Sequence, residues 1–207
     1  MANKLPRGLY ALLDDSVRPG LDLVDAARAV VAGGAGVIQL RLKRHGDRAA
    51  LALCRAVVQA STAVVIINDR VDLAMLSGAG GVHLGDDDLP VAEARRLLGP
   101  DALIGMTTRS LSMIRTAAAQ GADHVGLGPI FSTSTKSVPH ARVGLDGLRA
   151  IAADSPLPIV AIAGIGLENI GSVARAGAHC AAVASGLLAA DDLTERARAL
   201  QAAFFEF

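Results

Sequence analysis

The stretch AVVIINDRVDLAMLSGAGGVHLG, residues 63–85, decides the fold. It opens on the apolar run AVVII and passes through Asn68, Asp69 and Arg70 to a helix beginning near Val71. It then turns on SGAGG (77–81) and enters a second short apolar run, GVHLG (81–85). A near-continuous apolar run, rather than a strict alternation, is what a strand buried on both faces requires. The unit therefore reads as strand, helix, strand, with the strands parallel.

The same unit recurs along the chain. GLYALLD (8–14), GVIQLRLK (36–43), AVVIIND (63–69), GVHLG (81–85), ALIGMT (102–107), HVGLGP (124–129), PIVAIAG (158–164) and AAVASG (181–186) read as strands. Helical spacing lies between them: Leu21, Val24, Ala27, Val30 and Val31 share one face, and Leu51, Cys54, Val57 and Val58 share another. Later helical segments span 91–98, 110–119, 145–153, 169–176 and 192–205. Connections are short and glycine-marked, as in GGAG (33–36), QGAD (120–123) and AGAH (176–179). No linker or composition break divides the 207 residues. The expectation is an α/β fold: a compact, single-domain (β/α)₈ TIM barrel over residues 1–207. An open doubly wound sheet uses fewer strands for this length, and no GxGxxG follows the first strand.

Composition narrows the function. The chain is 52% hydrophobic and 19% charged, enough apolar side chain for a large core. Twenty basic residues balance twenty acidic ones, so the basic surplus of a phosphate-backbone binder is missing. With one Tyr, four Phe and no Trp there is no stacking platform for bases either. Cys54 and Cys180 stand at no ligand spacing, which predicts reduced, buried thiols. The start, MANKLPRGLYALLDDS, lacks a sustained apolar h-region, and no apolar run approaches the ~20 residues of a membrane span. We expect a soluble cytoplasmic protein with no nucleic-acid or membrane partner; a homo-oligomer stays open.

A barrel places its chemistry at the C-terminal ends of its strands and in the loops that follow. The second strand ends in Gln39, Arg41 and Lys43, a spacing of two that puts all three on one face. The outward face is covered by helices, where unpaired cations are costly, so the three are expected inside. The third strand ends in Asn68 and Asp69, though Asp69 could equally cap the next helix. The fourth brings His83 and then Asp86, Asp87 and Asp88. No second His stands at metal spacing, so His83 reads as a structural group. After the sixth strand comes GPIFSTSTKS (128–137), where Ser132, Thr133, Ser134 and Thr135 precede Lys136. Hydroxyls, backbone N–H groups and a point charge together suit an anion rich in oxygens. The last two strands end in Gly164 and in Ala184–Ser185, where small residues let backbone N–H groups approach a phosphate.

Two anion sites thus share one rim, with carboxylates beside one of them. Mg²⁺ is the hard cation that reconciles carboxylates with phosphate oxygens, and Asp69 with one or more of Asp86–Asp88 fits that role. The implied chemistry joins a diphosphate-bearing substrate to a monophosphate-bearing one, with pyrophosphate leaving.

Over nearly its whole length the chain resembles the thiamine phosphate synthase family, through LYALLDD, QLRLK, NDR, GGVHLG, GADHVGLGPIFSTSTK, IVAIAGI and AVASG. The resemblance implies a TIM barrel that couples hydroxymethylpyrimidine diphosphate to a thiazole phosphate, or its carboxylated form. The products are thiamine phosphate and pyrophosphate, formed with Mg²⁺ by a dissociative route. It assigns Gln39, Leu40, Arg41, Leu42, Lys43, Asn68, Thr107 and Lys136 to the pyrimidine diphosphate, with Lys136, Arg41 and Lys43 as the catalytic cations. It assigns Thr133, Ser134, Thr135, Gly164, Ala184 and Ser185 to the thiazole phosphate, and Asp69 and Asp88 to the metal. Four positions depart from the family's pattern: Asp86 replaces a Gln, Arg109 a His, Ala163 a Gly and, keeping the hydroxyl, Thr107 a Ser. The competing readings are a thiazole tautomerase, which needs neither the aspartate pair nor the cation set, and a non-catalytic paralogue that binds a phosphate ligand.

Overall fold

The computed structural model describes residues 5–132 and 141–206. Eight parallel strands close into a barrel in chain order: β1 (Gly8–Asp14), β2 (Val37–Arg41), β3 (Val64–Asn68), β4 (Gly81–Leu84), β5 (Leu103–Thr108), β6 (His124–Leu127), β7 (Ile159–Ala161) and β8 (Cys180–Val183). The ring shuts where β1 lies against β8, with Gly8 opposite Cys180 and Ala11 opposite Val183. Helices α1 (Leu23–Ala32), α2 (Asp47–Ala60), α3 (Val71–Ser77), α4 (Val91–Leu98), α5 (Leu111–Ala119), α6 (Gly144–Asp154) and α7 (Ile170–Arg175) follow the first seven strands. A single turn, α8 (Ser185–Leu188), and α9 (Leu193–Phe205) complete the described fold. None of these helices is long and apolar enough to cross a membrane.

Burial on both faces accounts for the near-continuous apolar strands. Leu9, Ala11 and Leu13 of β1, Ile38 and Leu40 of β2, and Val65 and Ile67 of β3 point outward. They pack with the buried stripes of the helices, such as Ala27 and Val30 of α1 and Cys54 and Val57 of α2. The alternate residues, Tyr10, Val37, Ile66, Leu103, Val160 and Cys180, fill the inside. Helix α1 starts where the Asp22 carboxylate accepts the N–H groups of Val24 and Asp25.

The seam between β1 and β8 is fastened from outside by α9. Gln201 accepts the N–H of Leu9 at 2.7 Å through Oε1. Gly8, at φ 121°, leaves room for that amide, since a Cβ there would lie 2.5 Å from Oε1.

Two strand ends are shorter than the sequence pattern suggests. The run 158–164 keeps strand geometry only through Ala161, because Ala163 and Gly164 take φ of 76° and 67°, which no pleated strand accommodates. The run 181–186 stops at Val183, and Ser185 already begins α8.

Candidate active site

The alternation along β2 carries Gln39 and Arg41 inward, as their spacing requires, and leaves Leu40 in the outer layer against the helices. Together with Asn68 of β3, His83 of β4 and Thr107 of β5, they line a cavity of about 220 Å³ at the C-terminal mouth of the barrel. Gly164, Ala184 and Ser185, after β7 and β8, line the same cavity from the other side of β1. Thus eight of the predicted positions, Gln39, Arg41, Asn68, Thr107, Gly164, Ala184, Ser185 and, as the structural group, His83, meet around one space. Leu42 packs against the outer core instead. Thr133, Ser134, Thr135 and Lys136 lie outside the described residues.

Strand β1 supplies what the sequence reading overlooked. Tyr10, Leu12 and Asp14 line the cavity at alternate positions. The signal was present in the sequence: an acid ending an apolar strand, at the same spacing of two that exposed Gln39 and Arg41. Tyr10 accepts the Gln39 amide at 2.9 Å. Asp14, almost fully buried, accepts Arg41 Nη1 at 2.7 Å and the Ser16 N–H and hydroxyl at 2.8 and 2.6 Å. The guanidinium is therefore fixed at the mouth before any ligand arrives. Asp15 does the same for the following loop, accepting the N–H groups of Lys43 and Arg44, both at 2.9 Å, and bonding His45 Nδ1. Burial alone would raise the Asp15 carboxyl, but these bonds outweigh it and hold it below the usual range.

Lys43 reaches over the rim to Asp69, Nζ to Oδ2 2.6 Å. Asp69 stands at φ 64°, a left-handed conformation that Asp tolerates better than most residues. Its N–H is bonded to the carbonyl of His83, and the next helix is preceded by Arg70 without a side-chain cap, so Asp69 is not a helix cap. Its carboxylate meets that of Asp88 instead. Burial would raise Asp69, but Lys43, the hydrogen bond to Asp88 and the Arg41 charge overrule it and hold it low. Asp88 is pushed up, by burial first and by its neighbour Asp69, against the pull of the Gly85 N–H that it accepts at 2.6 Å. The three aspartates after β4 thus separate. Asp88 faces Asp69, Asp87 is exposed, and Asp86 forms an ion pair with Arg109. Two of the departures from the family's pattern are therefore partners that cancel each other's charge.

Among the described residues no group of three or more His, Cys, Asp or Glu could hold a metal ion. Two adjacent carboxylates, one of them reluctant to ionise beside the other, nevertheless fit Mg²⁺, which binds through one or two carboxylates and completes its shell with water and phosphate oxygens. Below the rim, burial pushes the imidazoles of His83 and His124 down to about 4 and about 3, so both rings are neutral near pH 7.

Fold and mouth together define a barrel with fixed cations and paired acids at the C-terminal ends of its strands, the place where such barrels take anionic small molecules. A family model described as thiamine monophosphate synthase matches residues 9–187, and the chain belongs to that family of transferases. It is 56% identical to the thiamine-phosphate synthase of Myxococcus xanthus over 203 residues, covering 97% of this chain and 93% of that one. Against the thiamine-phosphate synthase of Anaeromyxobacter dehalogenans it is 52% identical, with 95% and 87% covered. The solved thiamine phosphate pyrophosphorylase of Pyrococcus furiosus superposes with a TM-score of 0.86 at 32% identity, covering 96% of each chain.

Proposed function

We propose that the chain joins hydroxymethylpyrimidine diphosphate to a thiazole phosphate in the cytoplasm, forming thiamine phosphate and releasing pyrophosphate. The observation that carries the reading is the shared cavity: Gln39, Arg41, Asn68 and Thr107 on one side of β1, and Gly164, Ala184 and Ser185 on the other. Two phosphorylated substrates bound to these sets would meet between them. The C–O bond to the diphosphate breaks with its electron pair leaving on pyrophosphate. The thiazole nitrogen then donates its lone pair to the pyrimidine-methyl cation.

Each residue set contributes a definite part. Arg41, anchored by Asp14, meets the diphosphate without first having to be ordered. Lys43 and the sequence-assigned Lys136 add charge where the leaving group accumulates it. Leu12, Val160, Ile162, Ile165 and Ala182 give the cavity an apolar wall that keeps water from capturing the cation. Asp69 and Asp88 would hold Mg²⁺, which when bound supplies positive charge to phosphate oxygens.

The test is an end-point assay with both substrates, with Mg²⁺ and again with excess chelator. Thiamine phosphate and pyrophosphate should form in equal amounts with the metal, and chelation should stop both. Turnover unchanged by chelation sinks the metal assignment. A thiazole phosphate that is isomerised but never coupled sinks the synthase reading in favour of the tautomerase.

A further inference from the structure

Arg41, at the end of β2, and Lys43, just beyond it, serve the same rim but are held differently. Arg41 is fixed along its length: Nη1 lies 2.7 Å from the nearly buried Asp14, whose carboxylate also takes the Ser16 N–H and hydroxyl. Lys43 is tied at its root and free at its tip. Its backbone N–H donates to Asp15 at 2.9 Å. Its side chain, 45% exposed, crosses to Asp69 and places Nζ 2.6 Å from Oδ2. A flexible four-carbon stem with a compact ammonium can reach more than one partner from that single root.

Asp69 is the crowded member of this group. Its carboxylate carries both the Lys43 ammonium and the hydrogen bond with Asp88, and it feels the Arg41 charge as well. The same carboxylate is assigned to the metal in the reading above. Mg²⁺ binds oxygens at about 2.0–2.1 Å and tolerates little distortion. An ammonium 2.6 Å from one carboxylate oxygen repels a dication held by the same group. Lys43 and the cation therefore oppose each other at Asp69. Toward a diphosphate the sign reverses, because its several anionic oxygens attract the ammonium more strongly than one carboxylate that Asp88 already shares.

We propose that Lys43 competes with the metal for Asp69 and yields it only when a diphosphate gives the ammonium another partner. The cation site is then weak in the free protein and strengthens on arrival of the substrate it serves. Metal and diphosphate bind cooperatively through one side chain, in addition to their direct attraction. The inference rests on the reading of Asp69 as a metal ligand and of the substrate as a diphosphate. The competition itself needs no coupling chemistry.

Mn²⁺ binding to the full chain, followed by electron paramagnetic resonance with no phosphate present, reads the competition without turnover. Lys43→Met should bind Mn²⁺ about two- to fivefold more tightly than the parent, the upper range for one partly exposed ion pair. The same variant should couple the two substrates less well, so the two effects run in opposite directions, whereas a disturbed fold would weaken both. An Mn²⁺ affinity that is unchanged or weaker in Lys43→Met, or no binding by either protein, overturns the inference. A second measurement approaches from the anion. In excess chelator, inorganic pyrophosphate should bind Asp69→Asn more tightly than the parent, since Lys43 is then released. With Lys43→Met already in place that gain should fall by about half or more, because only relief of charge repulsion remains. An equal gain in both backgrounds overturns the inference. An unaltered chain without coupling activity would refute the proposed function while leaving the Mn²⁺ and pyrophosphate results to stand by themselves.

Discussion

Ala163 offers a direct test of how the rim is built. It stands at φ 76°, beside Gly164 at φ 67°, where β7 turns into the loop lining the cavity. An L-residue in this left-handed region costs about 1–2 kcal/mol relative to glycine, because its Cβ crowds the following carbonyl. Replacing Ala163 by Gly removes that cost but gives back about 0.4–1 kcal/mol through a more flexible unfolded chain. The net expectation for Ala163→Gly is a gain of about 0.5–1 kcal/mol, or about 1–4 °C in Tm for a domain of this size. Gly164→Ala makes the opposite case: its Cβ would fall 2.3 Å from the Ser132 carbonyl oxygen and 2.7 Å from Phe131 Cβ, in addition to the dihedral cost. It should lose well over about 2 kcal/mol, since the clash is with backbone that cannot rotate away. Urea titration and calorimetry of the three proteins measure both differences. An Ala163→Gly protein no more stable than its parent, or a Gly164→Ala protein as stable as its parent, would refute the account of this turn.

The rim carries the remaining expectations. Mn²⁺ titrations followed by electron paramagnetic resonance should show affinity falling as pH drops through the range just above ordinary carboxylates, because Asp88 is pushed up and must release its proton to bind a cation. Asp69→Asn and Asp88→Asn should each weaken Mn²⁺ binding at least tenfold, about 1.4 kcal/mol, whereas a pH-independent affinity would contradict the pairing. Asp69 itself, held low, lends stability that is lost only when the pH falls through its depressed value. Asp86→Asn, by contrast, should leave Mn²⁺ affinity within about twofold, and exchanging the charges as Asp86→Arg with Arg109→Asp should restore most of the ~0.3–1 kcal/mol lost by either change alone. Strictly additive losses in chemical denaturation would show that the two side chains do not interact.

The barrel was legible because its strands are buried on both sides, so apolar runs announce them, and helical spacing fills the gaps between. The inward set on β2 was legible for a simpler reason: a strand has a period of two, and helices cover its other face. Asp14 was harder, since its partner Arg41 is 27 residues away and only the barrel brings them together. The same holds for Arg109 and Asp86, each conspicuous in the sequence but silent about the other until β4 and β5 lie side by side. The Asp69 cap reading failed because helix α3 starts one residue later than a cap at that position needs. Ala163 was legible only as a residue standing where the family carries Gly, not as a left-handed one. Alanine advertises no left-handed dihedral, and only the glycine after it hints at the turn.

The bond between Leu9 and Gln201 ties residues 192 positions apart. During synthesis β1 leaves the ribosome long before either β8 or α9 exists to cover it. For that interval the edge of β1 that β8 will occupy has no strand beside it, the condition under which strands pair with the wrong chain. The seam is thus the last part of the barrel able to form, because β8 and then α9 are the last elements of the chain to close it.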